Sequence, residues 1–174
     1  MSFLAIFGSG KLEQKKLGSA RIFASHYQLL ICDDPSYRFP DDENWQTREK
    51  QLYAGNPRHR MIGTEADLND HWVELWIAPD PPIAAEWDRV ICVDFECQTK
   101  NVFVMSVIDN KPPIKSRLTN GNYSLFMATQ NLGVDPVDID TISLQTLETS
   151  LKKAEWHKLI LVPGSHSRTG IIAP

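Results

Sequence analysis

Alternation of apolar and polar residues with a period of two runs through most of this chain. From His71 to Ala78 the sequence HWVELWIA places Val73, Leu75 and Ile77 on one face and Trp72, Glu74 and Trp76 on the other, as the pleat of a strand requires. The aliphatic face is the one expected to meet a core, and Pro79, Pro81 and Pro82 end the run. RIFASHYQLLIC (21–32) alternates more loosely and is predicted as one strand. DRVICVDFEC (88–97) sets Val90, Cys92 and Asp94 against Arg89, Ile91, Val93 and Phe95. VFVMSV (102–107) follows the turn Thr99-Lys100-Asn101, so the two segments are predicted to form a hairpin. After Asn120-Gly121, a pair that tolerates positive φ, Tyr123, Leu125 and Met127 share a face. WHKLILV (156–162) is a last strand, stopped by Pro163-Gly164, with a tail at 163–174 expected to pair weakly or lie loose.

Helical spacing occurs in one good place, residues 144–156, where Leu144, Leu147 and Leu151 fall at i, i+3 and i+7, with two strands as the alternative reading of the same stretch. SFLAIF near the start reads as a short strand, with a turn at Gly18 before the next. Residues 35–62 are rich in Pro, Asp, Asn and Arg and read as a long connection, with one helical turn around 44–52 capped by Asp41 or Asp42. Many short strands, turn signals between them and one late helix predict a mainly β protein: an antiparallel β-sandwich with one helix near the C-terminus, forming a single domain over 1–174 with an acidic, proline-rich connection at 33–62. No βαβ alternation supports a Rossmann-like sheet.

Composition changes this picture little, but charge adds to it. The net charge of −4 is unevenly spread: residues 33–50 hold six acids against three bases, residues 61–100 nine against two, and residues 1–32 one against four. Phosphate binding needs clustered Lys and Arg, so an acidic middle argues against direct nucleic-acid binding and favours a basic protein partner. No segment is long and apolar enough to span a membrane, and the N-terminus lacks the order of charges of a secretory signal, so the expectation is a cytoplasmic protein. Cys32, Cys92 and Cys97 are an odd number without metal-type spacing and read as buried apolar thiols.

Candidate chemistry is thin. Gly8-Ser9-Gly10-Lys11 resembles the end of a phosphate loop, but Ala5 stands where the first glycine belongs and Leu12 where the hydroxyl does. Glu65, Asp67, Asp70 and His71 concentrate oxygen and nitrogen donors, yet carry only fragments of a calcium loop; they are the basis of a rival reading as a metal-dependent enzyme or ligand binder. No GxSxG is present, and His26 and His157 lie in predicted strands, where a structural histidine is the common case. Arg58-His59-Arg60 is too small for a nucleic-acid footprint. The acid pairs Asp33/Asp34 and Asp41/Asp42, with Glu43, sit in a connection expected to be exposed. Trp45, Trp72 and Trp76 stand beside acids, a makeup that suits a binding surface when not covered by a loop or the helix.

SHYQ at 25–28, a long acidic loop containing a tryptophan, paired strands near 89–96 and 102–107, and GNYSL at 121–125 together resemble the competence protein J family, small β proteins known as inhibitors of a DNA-entry nuclease. The resemblance covers about residues 22–130, with extra residues at both ends and a longer loop at 33–62. It implies a stoichiometric inhibitor or immunity-type protein and brings no catalytic residues. On this reading Asp33, Asp34, Asp41, Asp42, Glu43, Trp45, Trp72 and Trp76 form a docking rim for a basic partner, with a nuclease the leading candidate; no cofactor and no metal are expected. A structural homo-oligomer built on Trp72 and Trp76 is the third reading.

Overall fold

A computed structural model describes residues 13–36, 52–66, 69–135 and 144–173. Two sheets face each other. The first has six strands in the order β1 (Lys15–Ala24), β5 (Asn69–Ile77), β10 (Trp156–Pro163), β9 (Gly121–Gln130), β6 (Arg89–Cys97) and β11 (Gly170–Ala173). The second has five, in the order β3 (Tyr53–Asn56), β4 (His59–Gly63), β2 (Gln28–Cys32), β7 (Asn101–Met105) and β8 (Ile114–Arg117). Among the described residues one α-helix, α1 (Leu144–Leu151), lies beside β5, and a 3-10 turn covers Ala84–Glu86. Among the described residues, no helix is long and apolar enough to cross a membrane.

The expected faces are the observed ones. Val73 and Leu75, Ile91, Val93 and Phe95, Tyr123, Leu125 and Met127, and Leu159 and Leu161 meet Leu29, Ile31, Ile62, Val102 and Val104 of the opposite sheet in one buried core. Tyr123 also turns its hydroxyl back onto Thr119 O at 2.7 Å, pinning the start of β9, which is why a tyrosine sits in the GNYSL opener. Both sheets carry smaller apolar clusters on their other faces: Val90, Cys92, Phe126, Ala128, Ile160 and Val162 on the first, and Leu30, Cys32, Met61, Phe103 and Met105 on the second. Strands buried on both faces read as nearly continuous apolar runs, which explains the loose alternation of LLIC.

Connectivity departs from the sequence-based expectation at five places. Residues 21–32 are not one strand: His26 and Tyr27 both take φ of 57°, and the chain passes from the first sheet to the second through this tight turn. Such turns are usually signalled by Asn-Gly, and His-Tyr gives no such signal. The segments 89–97 and 101–105 are not a hairpin, because β6 pairs with β9 and β11 while β7 pairs with β2 and β8. The 35–62 connection contains the β3–β4 hairpin, which turns at Pro57-Arg58; within β3, Gly55 takes φ 87°, and a Cβ there would lie 2.0 Å from His59 O. Most of the expected helical turn at 44–52 falls outside the described residues, as do SFLAIF and the glycine-rich loop. The first sheet is mixed rather than purely antiparallel, since β10 runs parallel to β5. β1 continues through Gly18 with a bulge instead of turning there, and Gly18 lets Ile114 of the second sheet approach to 2.9 Å of where a Cβ would be. The tail does pair: β11 caps the edge beside β6.

Candidate functional site

Asp33, expected on an exposed rim, is buried at 1% exposure. The end of β2 delivers it between two turns. Arg58 Nε lies 3.1 Å from both carboxylate oxygens and Arg58 Nη2 3.0 Å from Oδ1, while Gln98 N–H donates to Oδ2 at 2.8 Å. Its backbone carbonyl accepts from Thr99 Oγ1. Asp33 thus ties the β3–β4 turn to the β6–β7 turn, and a carboxylate so occupied is a strut, not a contact residue. Asp34, next along, points outward and is partly exposed; its Oδ1 accepts from Ser36 Oγ at 2.7 Å and from Ser36 N–H at 2.9 Å, and these bonds lower its pKa. Arg60 is likewise spent internally, on Asp94 and on Gly55 O, and His59 Nε2 lies 2.7 Å from Asp34 O, so Arg58-His59-Arg60 is no free basic patch. Asp41, Asp42, Glu43 and Trp45 lie outside the described residues.

Trp72, Glu74 and Trp76 share the outer face of β5 as expected, but the face is neither open nor acidic. Trp72 is 6% and Glu74 4% exposed. Both indoles donate to the Glu74 carboxylate, Trp76 at 2.8 Å and Trp72 at 3.3 Å. Lys16 and Lys152, the latter just after α1, reach the same carboxylate at 2.9 and 2.6 Å. Burial pushes the Glu74 carboxyl up, but the bonds from Lys152, Lys16 and Trp76 outweigh it and bring it to about 2. Lys158 lies 4.4 Å from the centre of the Trp76 ring and Lys152 4.6 Å from that of Trp156. Lys16 and Lys152 offset Glu74, Lys152 is also paired with Glu148 at 2.9 Å, and Lys158 adds a further ammonium over Trp76, so this is not the acidic face that a rim for a basic partner would need.

The acidic run at 65–71 is also dispersed. Glu65 pairs with Arg89, Asp70 with Arg21 at 3.6 Å, and Asp67 is outside the described residues. His71 alone turns into the sandwich, where it meets residues that sequence reading did not connect to it. On the inner face of four neighbouring strands, each apolar row ends in one polar residue: His71 before Val73 on β5, His157 before Leu159 on β10, Thr129 after Met127 on β9, and Arg89 before Ile91 on β6. Register lines them up, with His157 opposite Thr129 and Thr129 opposite Arg89. His157 Nε2 is 3.1 Å from His71 Nδ1 and 3.5 Å from Glu155 Oε1, and its Nδ1 is 2.9 Å from Thr129 Oγ1. Glu155 accepts three backbone N–H bonds, from Glu65 at 2.9 Å, Ala66 at 3.0 Å and Gly133 at 2.7 Å. Burial lowers the pKa of both histidines, that of His157 well below its ordinary value. A sequence signal existed: a polar residue closing each core-facing row. Only the strand order shows that these ends converge.

The three thiols are buried as expected. Burial raises Cys32 to about 12 and Cys92 to about 11, so neither is a thiolate at neutral pH.

No known family model matches the chain, and no curated protein matches it in sequence. Solved structures that share its fold include that of ComJ from Bacillus subtilis, described as an inhibitor of the DNA-degrading activity of NucA; it aligns with a TM-score of 0.63 at 12% sequence identity, over 88% of this chain and 100% of that one. A structure described as crocagin biosynthetic gene J aligns with a TM-score of 0.56 at 10% identity, again over 88% of this chain and 100% of that one. The chain has the ComJ fold, in agreement with the resemblance noted in its sequence.

Proposed function

We propose that this protein is a non-catalytic binding protein that inhibits a nuclease by presenting carboxylates to its basic, DNA-binding cleft. The observation that carries this reading is the fold likeness to ComJ, which extends over the whole of that inhibitor's chain. Two features support it. The corner at the end of β2 is rigid, because Asp33 locks two turns together, and it projects Asp34 outward with its carboxylate held ionised by Ser36. The chain then continues into Asp41, Asp42, Glu43 and Trp45, so the negative rim is drawn from Asp34 and this segment. Carboxylates held at such a rim stand in for phosphates, steer a cationic cleft into contact and raise the association rate. Asp33, Trp72 and Trp76 are assigned structural parts instead.

The test is a titration of the purified protein into the DNA-degrading activity of an extract of its host, read by plasmid cleavage. Cleavage should fall to a plateau at a fixed molar ratio. The combined change Asp34→Asn, Asp41→Asn, Asp42→Asn, Glu43→Gln should weaken inhibition roughly tenfold at low salt and flatten its salt dependence. Cleavage that continues unchanged at every ratio rejects the inhibitor reading, and undiminished inhibition by the four-fold variant rejects the placement of the rim.

A further inference from the structure

We propose that His71, His157 and Glu155 form a buried three-donor site for a divalent transition-metal cation of the zinc class, built where the polar ends of the inner-face rows converge. Two imidazoles and one carboxylate are a borderline-soft donor set suited to zinc, and no thiolate takes part. The donor atoms lie within 4.8 Å of one another. The separations of 3.1 Å between the two imidazole nitrogens and 3.5 Å between His157 Nε2 and Glu155 Oε1 are close to the edge of a tetrahedron around zinc, about 3.3–3.4 Å for bonds of about 2.0–2.1 Å, whereas the His71–Glu155 edge, which lies within 4.8 Å, would have to close to the same length on binding. Three protein donors leave the fourth position of such a tetrahedron to a water or a small anion.

The surroundings are those of a ligand set rather than of a self-sufficient polar network. Metal-binding imidazoles hold their second nitrogen on a fixed partner, and His157 Nδ1 has Thr129 Oγ1 at 2.9 Å. Ligating carboxylates are themselves hydrogen-bonded, and Glu155 is oriented by the N–H groups of Glu65, Ala66 and Gly133. The groups are 0–1% exposed; with Nδ1 as the donor atom, the second nitrogen of His71, Nε2, makes no hydrogen bond of good geometry, although the backbone carbonyls of Ala66 and Glu155 lie near the ring. Among the described residues no lysine or arginine makes an ion pair with Glu155; Arg89, the nearby strand-end cation, is turned onto Glu65 and Gly63 O. Glu155 thus meets its surroundings through three backbone N–H dipoles and the His157 imidazole at 3.5 Å, with Arg89 engaged elsewhere. A metal there would join β5, the approach to β10 and the 64–66 connection at one point.

Protein stripped with chelator and dialysed against low-micromolar Zn(II) should retain about one zinc per chain by atomic absorption, with a higher unfolding midpoint. Co(II) in its place should give visible ligand-field bands without a thiolate charge-transfer band. His71→Gln should abolish retention. Thr129→Val, which keeps the shape and removes only the partner of His157, should weaken zinc affinity about 10–100-fold. Failure of the intact protein to retain zinc overturns the proposal. So does a thiolate charge-transfer band, which would move the metal to the cysteines, and so does a Thr129→Val variant that binds zinc as tightly as the parent. The last two readouts decide the matter even where His71→Gln does not fold.

Discussion

Glu74 and Glu155 are two carboxylates sunk into the same sheet, and they are neutralised in opposite ways. Glu74, on the outer face of β5, is 4% exposed and is met by two lysines and two indole N–H groups. Glu155, just before β10, is 1% exposed and is met by three backbone N–H groups and by the His157 imidazole at 3.5 Å. The first is compensated by partly exposed ammonium groups, the second by dipoles of the backbone. A carboxylate answered by lysines is a closed ion network with nothing left to bind. One answered by dipoles and imidazoles is the arrangement on which the proposed metal site rests. Burial of an acid therefore does not itself mark a site; what has been brought to neutralise it does.

The sharpest way to break this contrast is Glu155→Ala. It leaves the N–H groups of Glu65, Ala66 and Gly133 without acceptors, each costing about 1–3 kcal/mol when buried, so the loss should be on the order of 4 kcal/mol. That is a large part of the stability of an ordinary domain. Glu155→Gln keeps a carbonyl acceptor and should lose distinctly less. Urea unfolding of both variants measures the difference, and equal losses would mean that charge, not backbone acceptance, is what Glu155 supplies.

Glu74 should respond to acid instead. Its carboxyl is held at about 2 in the folded protein against an ordinary value of 4.5. The folded state binds its proton more weakly than the unfolded chain, so this contribution is complete above about pH 4.5 and is lost as pH falls toward 2. Because Lys16 and Lys152 are 36% and 29% exposed, solvent screens part of the effect, and about 2 kcal/mol is expected over that window. Glu74→Gln should flatten the stability–pH curve between pH 4.5 and 2 relative to the parent. An unchanged slope would show that the lysines do not hold the carboxylate in solution.

How far these arrangements could be read beforehand depends on the sequence distance they span. Period-two alternation is local, so the strands around Val73, Ile91, Leu125 and Leu159, and the sides they bury, were legible, as was the helix from its leucine spacing. Pairing was not, because Gln98–Lys100 and His26-Tyr27 look like hairpin turn and mid-strand but send the chain to the other sheet. The candidate sites were least legible of all. Asp33 looked exposed beside Pro35, yet its partners are Arg58, 25 positions on, and Gln98, 65 positions on. His71 looked like part of an acidic loop, while the imidazole it meets is 86 positions away. A polar residue closing an apolar row is visible in one strand; that four such closures adjoin is a property of strand order.

The smallest expected effect tests whether the network around Glu74 is already full. Lys158 lies over the Trp76 ring at 4.4 Å but makes no ion pair with Glu74 comparable to those of Lys16 and Lys152. Burial lowers its pKa; Lys152 and Lys16 press in the same direction, while Glu74 opposes them. Lys158→Met keeps the aliphatic stem on the indole, removes a partly desolvated charge and forfeits a cation–π contact worth about 0.5–1 kcal/mol. These contributions oppose each other, so stability in urea should stay within about 0.5–1 kcal/mol of the parent and lose little of its salt dependence. Lys152→Met, which takes away a direct partner of a buried carboxylate, should cost clearly more. Equal costs for the two lysines would mean that all three ammonium groups share Glu74 as a single diffuse cloud instead of two anchors and a bystander.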